Sequence, residues 1–494
     1  MRIFRLANNR GSALLLCFVV ALVFSTLAFV LYTLSMKEMA MAEKQRQRVV
    51  AFHIAEAGIE QAVYDLRLDF INSKSWTDGD INGLALTITN SFQPLPYTDT
   101  SLNNGSYLVE LKKGDASFGI WIKSTGIFEG VPQTIQVYGC LERHSIWDNA
   151  VYAGSGQHGG VINGNVSVMG SVHILGSSLA PVDYAIDLSG VATLAGNNYT
   201  AMPADLRFRI PALDSIVYNG ENIETLHSTL RVKRGQVNLG GTGQVGETNV
   251  IGNIYKETAD AAFVNDGFVE HSGPSNVHAD EMGGYDLGDM LSFPEIGSDG
   301  DPESYASYFR SHAYVVSDPV ALAELSSITP ESIFAYGDSQ GMIAMDGDGH
   351  MTVSGCVYIE GDLNLKTNPS GLEQITYEGS ASILVKNDVS VNVGLVTPNA
   401  SESFPDNILG VMTPGSIRMG ETSQKDIMGL FYAENNIRLK KQTNIIGTLV
   451  SNYFDLSHQV PSVFQVPDTV DNLPPRLIGG DPLFLFKIIS WQRL

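Results

Sequence analysis

The chain has few cysteines and few basic residues for its length. Its 494 residues include three cysteines, and 30 Lys and Arg stand against 53 Asp and Glu, for a formal net charge of −23. So few cysteines exclude a disulfide-rich scaffold, and the sequence has neither a CxxC motif nor zinc-type spacing. A broad nucleic-acid-binding surface needs the opposite sign of charge, so we expect no nucleic-acid partner.

The cysteines leave two possibilities open. Cys17 lies in an apolar segment, while Cys140 and Cys356 lie far apart in β-prone segments. An oxidising compartment would allow a bridge between the latter two, and the alternative is two buried thiols.

Charge is missing from an N-terminal segment, and proline is missing up to Pro94. Residues 13–34 carry no charged side chain. As a helix they span roughly 33 Å at ~1.5 Å per residue, enough to cross a hydrocarbon core of about 30 Å. A cleaved secretory signal has a shorter apolar region of about 7–15 residues followed by a small-residue cleavage site, and this sequence fits neither feature. We predict a retained transmembrane helix over 13–34.

The helical pattern continues beyond the membrane span and becomes amphipathic. The apolar residues there are spaced three and four apart, so they form one stripe on a helix. The stripe can pack on the chain's own domain, and it can also meet neighbouring subunits. Its members are Phe52, Ala55, Ile59, Ala62 and Leu66.

Two motifs at this end resemble a known family. Arg10-Gly11 followed by Ser12-Ala-Leu-Leu-Leu16 resembles a type IV prepilin leader, which a prepilin peptidase cuts after glycine. Ala51-Phe-His-Ile-Ala-Glu-Ala-Gly-Ile-Glu60 resembles the A-x-x-x-A-E-A-G-[IL] block of PilX-like pilus assembly proteins. The resemblance covers about 70 residues. It implies a leader over 1–11, cleavage between Gly11 and Ser12, and a pilin-like helix over 12–70.

One position departs from the major pilins. Those proteins carry a glutamate at the fifth mature position, where this chain has Leu16. An unpaired carboxylate in lipid is costly, and in the family this glutamate is thought to pair with the amine of the adjacent subunit. In lacking this glutamate, the chain resembles the K-type minor pseudopilins and many PilX-like proteins. The resemblance implies a low-copy subunit.

After the helix the sequence predicts a small antiparallel sheet over 71–145. Its predicted strands are β-rich and separated by turn signals such as Asn103-Asn-Gly. The strands are expected at Leu84–Thr89, Tyr107–Lys112, Phe118–Lys123 and Thr134–Tyr138.

Residues 146–470 show two nested repeats. Glycines recur every six residues at 164, 170 and 176, with Ile162, Val168 and Ile174 in one phase. A longer repeat aligns the glycines of Ile408-Leu-Gly410, Ile427-Met-Gly429 and Ile445-Ile-Gly447. Short β faces with glycine corners predict a parallel β-helix, or solenoid, with an irregular insertion at about 197–349. Residues 471–494 are expected to cap the stack. The expected fold is therefore α+β and mainly β.

Candidates for chemistry are few. Alternate carboxylates at Asp299 and Asp301, and at Asp346 and Asp348, are the best calcium candidates, although neither pair completes a known calcium loop. We expect no cofactor and no catalytic residues. Acidic pairs such as Glu360 and Asp362 leave a glycan-active β-helix enzyme as an alternative.

The sequence thus favours a non-enzymatic minor pilin in a bacterial inner membrane. A single pass would place the C-terminal part in the periplasm or outside the cell. Its expected partners are the inner membrane, prepilin peptidase and other pilin-like subunits, and no small-molecule substrate is evident. The remaining alternative is an uncleaved single-pass structural protein.

Overall fold

The fold is α+β, with one long N-terminal helix and a strand-rich body, in two compact units. Unit 1 comprises Met1–His144 with Phe484–Leu494, and unit 2 comprises Ser145–Leu483. The computed structural model describes residues 10–73, 80–81, 84–85, 88–97, 100–102, 104–114, 119–155, 162–163, 166–188, 190–269, 276–289, 291–368, 371–458, 461–481 and 483–494.

Helix α1, Arg10–Ser73, is 64 residues long. At ~1.5 Å per residue it extends about 96 Å. Its apolar half contains hydroxyl groups that donate to carbonyl oxygens of the preceding turn, as Ser25 does to Ala21 at 2.7 Å and Thr26 to Val23 at 2.8 Å. These polar side chains are therefore satisfied within the helix and do not interrupt it.

The second half of α1 packs on a six-stranded sheet that includes the C-terminal strand of the chain. Consecutive strands β5, β6 and β7 pair antiparallel, with Ile122 opposite Leu111 and Val137. Helix side chains and the inward side chains of these strands form one buried cluster. The strands of unit 1 are β1 Asp80–Ile81, β2 Leu84–Ala85, β3 Gln93–Pro94, β4 Ser101–Leu102, β5 Gly105–Lys113, β6 Gly119–Phe128, β7 Val131–His144 and the C-terminal strand Leu483–Arg493.

Unit 2 is built from many short strands, most of them in one 25-stranded sheet. Its first strands are β8 Val151–Ala153, β9 Ile162–Asn163, β10 Ser167–Met169, β11 Val172–Ile174, β12 Tyr184–Leu188, β13 Thr193–Gly196, β14 Asp214–Tyr218, β15 Glu221–Thr225, β16 Thr229–Val232, β17 Gln236–Leu239, β18 Gln244–Val245, β19 Ala259–Val264 and β20 Ala279–Gly283. The later ones are β21 Tyr314–Val316, β22 Ile333–Gly337, β23 Gly341–Asp346, β24 His350–Ile359, β25 Leu363–Lys366, β26 Gln374–Glu378, β27 Ser380–Val385, β28 Val389–Asn392, β29 Gly394–Val396, β30 Ile408–Thr413, β31 Ser416–Met419, β32 Asp426–Lys440, β33 Asn444–His458 and β34 Ser462–Phe464. Short helices lie between them: α2 Ala204–Phe208, α3 Tyr305–Arg310, α4 Pro319–Leu325 and α5 Ser403–Asp406.

Many parallel pairs in unit 2 join strands that are three places apart along the chain. Thus β24 pairs with β27 and β27 with β30, while β25 pairs with β28 and β28 with β31. Others join consecutive strands or strands five places apart, and β33 also pairs with β8. Inward residues of successive strands stack into one continuous buried core. Antiparallel pairs interrupt this pattern at β14–β15 and at β22–β23–β24.

The registers follow the predicted repeat in part. Ile427 pairs with Ile445 and Gly429 with Gly447, as the repeat predicted. The first member is displaced by one residue, because Gly410 pairs with Leu430 rather than with Gly429. In the six-residue repeat, Ile162, Val168 and Ile174 are all buried.

Two boundary predictions need correction. The prediction that 471–494 caps the stack is wrong for residues 484–494, because the C-terminal strand ends the sheet order β3-β5-β6-β7 of unit 1, whereas residues up to Leu483 belong to unit 2. The sequence of an apolar, β-prone segment does not identify the strand with which it pairs. The pairing with β7, which is distant in sequence, could therefore not be predicted. The supposedly irregular region 197–349 also contains ordered parallel strands, since β16 pairs with both β11 and β19.

Candidate assembly site

The N-terminal half of α1 exposes apolar side chains all around its circumference. The large side chains between Leu14 and Leu34 are 44–76% exposed. Within the described residues, α1 is the one helix long and apolar enough to cross a membrane. Leaving each such side chain in water costs roughly 1.5–3 kcal/mol, so this half requires lipid or other apolar helices around it.

The junction residues lie at the start of this helix. Gly11 and Ser12 belong to α1, while leader residues 1–9 lie outside the described residues, so cleavage after Gly11 stays a prediction. Leu16 is 65% exposed on the bare apolar half. This position therefore presents an exposed hydrophobic side chain and no carboxylate.

The C-terminal half of α1 buries its predicted stripe against its own sheet. Ala55, Ile59, Ala62 and Leu66 are buried, and all four lie in the cluster formed with β5, β6 and β7. Ala51 and Ile54 are buried beside Phe128, and the sequence pattern missed both. A role of the stripe in contacts with neighbouring subunits stays a prediction.

Phe52 is the stripe residue that remains partly accessible. Its ring meets the ring of Trp491 edge-on at 5.9 Å, and the Arg493 guanidinium lies 5.5 Å from its centroid. The C-terminal strand therefore borders the helix at the same point where the stripe reaches the surface of unit 1.

Small residues of the Ala-Glu-Ala-Gly block let the helix approach β6 closely. A Cβ atom added to Gly126 would lie 2.5 Å from the Ala55 nitrogen and closer still to the Ala51 carbonyl. A Cβ added to Gly58 would collide with the Ser124 hydroxyl. The block thus provides the flat helix surface that the sheet requires.

A buried carboxylate anchors the end of this helix. Asp65 accepts hydrogen bonds from the Tyr97 hydroxyl at 2.8 Å and from Gln61 Nε2 at 3.0 Å. Burial, together with the neighbouring Asp65 carboxylate, raises the pKa of Tyr97 far above its usual range. Tyr97 therefore remains a neutral donor at all physiological pH values.

Charged side chains cluster at the other end of the packed half. Arg46 pairs with Glu43 at 2.6 Å, and Gln47 Nε2 donates to Glu129 at 2.7 Å. The hydrogen bond from Arg46 lowers the pKa of Glu43 below its usual value. This polar cluster separates the packed part of the helix from the bare apolar part.

Three of the four calcium candidates, Asp299, Asp301 and Asp346, accept hydrogen bonds from protein donors. Asp299 contacts Lys386 at 3.1 Å, Arg310 at 3.3 Å and the Tyr358 hydroxyl at 3.2 Å. Asp346 accepts the backbone N–H groups of Asp348 and His350 within its own turn, and Asp301 accepts that of Glu303. Among the described residues, no group of three or more His, Cys, Asp or Glu is placed to hold a metal.

The acidic pair considered for glycan chemistry is also occupied. Glu360 forms an ion pair with Arg310, and Asp362 accepts the backbone N–H of Asp388 at 3.3 Å. Cys356 is a buried free thiol whose pKa is raised by burial. The thiol donates to the Pro475 carbonyl at 3.5 Å.

A long apolar helix whose second half packs on an antiparallel sheet defines a type IV pilin-like fold. A crystal structure of the competence-associated pilin ComZ from Thermus thermophilus matches this chain with a TM-score of 0.55 and 19% identity. The match covers 91% of this chain and 97% of that one. The sequence matches no protein-family model and no curated protein.

Proposed function

We propose that this protein is a non-enzymatic, membrane-anchored minor pilin of the PilX-like type. One observation carries the proposal: α1 is continuous, yet its first half is bare and apolar while its second half is buried in unit 1. Such a helix can be held in the inner membrane and later packed among the helices of other pilin-like subunits.

Leu16 supports a minor position in the assembly. A subunit without a carboxylate at this place cannot form an ion pair with the N-terminal amine of a neighbour. It can contribute only apolar packing there, which suits a low-copy subunit at a tip or in an initiation complex.

Unit 2 supplies the displayed surface in this proposal. Parallel pairing between strands three places apart, with the Ile427↔Ile445 register, supports a parallel β-helix interrupted by hairpins. A body of this size would crowd a filament shaft, and this favours an end position. The inner membrane then anchors α1 while unit 2 is exported.

The decisive experiment determines the first residue of the mature protein. We expect mass spectrometry of the full chain to find Ser12 as the first residue in cells with prepilin peptidase and Met1 in cells without it. Gly11→Leu should block cleavage, whereas Gly300→Ala should not, because Gly300 is distant from the junction and an added Cβ there would have its nearest atom 3.7 Å away. A chain that still begins at Met1 beside active peptidase would contradict the proposal and favour an uncleaved single-pass protein.

Two further assays separate the alternatives. The ComZ structure is that of a competence-associated pilin, so loss of pili or of transformation in a deletion strain would support an assembly role. Cleavage of a polysaccharide by the detergent-solubilised full chain, lost on Glu360→Gln, would instead favour the glycan-active enzyme.

A further inference from the structure

The C-terminal strand is the open edge of the sheet in unit 1. On its inner side it runs along β7, with Phe486 against Gly139 and the Leu494 N–H donating to the Thr134 carbonyl at 3.0 Å. It is the last strand in the sheet order. Within the described part of unit 1, its outer backbone edge faces no further strand.

Its side chains are also largely exposed, although Trp491 and Arg493 contact the Phe52 ring and Arg493 donates a hydrogen bond to Gln133. Residues 487–494 are all exposed, and the large apolar ones among them are 48–57% exposed: Ile488, Ile489, Trp491 and Leu494. A long, exposed and hydrophobic edge strand is a template for pairing with another chain, and soluble proteins normally block it. The five residues Ile488–Gln492 contain no charge and no proline.

The opposite edge of the same sheet is blocked. There β3 and β4 are each only two residues long, β3 contains Pro94, and Pro96 lies two residues further on. Proline cannot donate to a ladder, so this edge resists extension. Among the described residues of unit 1, the C-terminal strand is therefore the long open edge of this sheet and the place for an added strand.

Charge decides between a second copy and a different partner. From Leu483 to Leu494 there are two basic residues, Lys487 and Arg493, and no acidic residue. Symmetric antiparallel pairing of two copies centred on Ser490 would place Lys487 opposite Arg493, and like charges directly opposite are destabilising. The net charge of −23 adds repulsion between copies.

We propose that this edge binds an extended strand of a different pilin-like subunit by β-strand addition. The added strand is apolar at alternate positions and carries carboxylates opposite Lys487 and Arg493. This inference rests on the proposed pilin function and adds a second contact to the one through α1. Backbone hydrogen bonds provide the affinity, while the two flanking charges select the partner and the register.

The test is site-specific photo-crosslinking of the full chain in its own cells. A benzoylphenylalanine at Ile489 should yield an adduct whose second polypeptide has a prepilin-type N-terminal helix and a sequence other than this chain's. The same probe at Leu108, which is exposed elsewhere on this sheet, should yield little. Combined Lys487→Glu and Arg493→Glu should lower the Ile489 adduct by about tenfold, and the Gln pair should have a smaller effect.

A third probe position distinguishes the two proposals. A probe at Leu22, on the bare half of α1, should capture pilin-like subunits whether or not the C-terminal strand binds a partner. Adducts at Leu22 that are unchanged by the double charge reversal also show that the variant chain is folded and assembled. Adducts from Leu22 without any from Ile489, self-adducts alone, or an Ile489 adduct insensitive to charge reversal would each overturn the edge proposal. If neither probe captures a pilin-like chain, the proposed function fails as well.

Discussion

The backbone of Gly126 in β6 lies directly beneath Ala55 of α1, with 2.5 Å between the Ala55 nitrogen and the place of a Cβ on Gly126. Helix and sheet thus meet at bare backbone, and neither side has a flexible side chain that could move aside.

Gly126→Ala should destabilise unit 1. The added methyl meets backbone atoms of Ala51 and Ala55, which can give way only by shifting the helix. Overpacking of this kind costs about 1–3 kcal/mol. The measurement is thermal unfolding of the detergent-solubilised full chain, with Gly300→Ala as the control because its nearest atom would be 3.7 Å away. Equal melting temperatures for the two variants would contradict the close approach.

Tyr97→Phe should also destabilise unit 1, by removing a neutral donor to the buried Asp65 carboxylate. Hydrogen bonds to charged groups contribute about 1.5–3 kcal/mol. Chemical denaturation of the full chain, followed by a probe in unit 1, measures the loss. Tyr64→Phe changes an exposed hydroxyl on the same helix and should be neutral. If Tyr97→Phe left the stability unchanged, the hydrogen bond from Gln61 and the other contacts of Asp65 would be sufficient to stabilise its carboxylate.

Gly447→Ala should loosen the stack in unit 2. Gly447 has φ +133°, and an added Cβ would meet the Gly429 carbonyl of the neighbouring strand. Backbone strain at such a position costs about 1–3 kcal/mol, before any clash is counted. Limited proteolysis should therefore cut the variant faster than Gly284→Ala, where the nearest atom is 3.4 Å away. Unchanged proteolysis would mean that β32 and β33 separate easily.

The stability of unit 2 should fall at low pH partly through Asp299. The hydrogen bond from Lys386, with contributions from Tyr358 and Arg310, lowers the pKa of this carboxyl in the folded state. A lowered pKa stabilises the fold above the unfolded-state pKa of about 3.9, and that contribution is lost as pH falls through the lower folded value.

The melting temperature of Asp299→Asn should therefore lie below that of the unchanged chain near pH 7. The two should converge as pH falls below about 4. Lys386→Gln removes the main partner of Asp299 and should therefore weaken the pH dependence of the melting temperature. A gap between Asp299→Asn and the unchanged chain that is constant with pH would refute the assignment.

Local and periodic features were predictable from the sequence. The uncharged run 13–34, the 3–4 spacing of Ala55 to Leu66 and the repeat that aligns Ile427 with Ile445 each depend on residues close in sequence or on a fixed period. The predicted strands Tyr107–Lys112 and Thr134–Tyr138 lie inside β5 and β7 for the same reason. A period carries information about side-chain direction wherever the backbone is regular.

Features set by distant pairing were not predictable. The segment around Phe486 reads as a strand, but nothing in it names β7 as its partner. The one-residue displacement of Gly410 against Leu430 likewise depends on how two strands dock. The Asp299 cluster looked like a cation site because its basic partners Arg310 and Lys386 come from other parts of the chain.

The place of the C-terminal strand beside β7 has a consequence for biogenesis. During synthesis β7 emerges early, and its neighbour follows only after all of unit 2 has been made. Until then the outer edge of β7 is unpaired and open to wrong partners. Closing this sheet is a contact of very long sequence separation, so it should be among the last and slowest steps. A chain halted at any point within unit 2 would carry an unfinished unit 1, and chaperones or proteases would recognise it by that exposed edge.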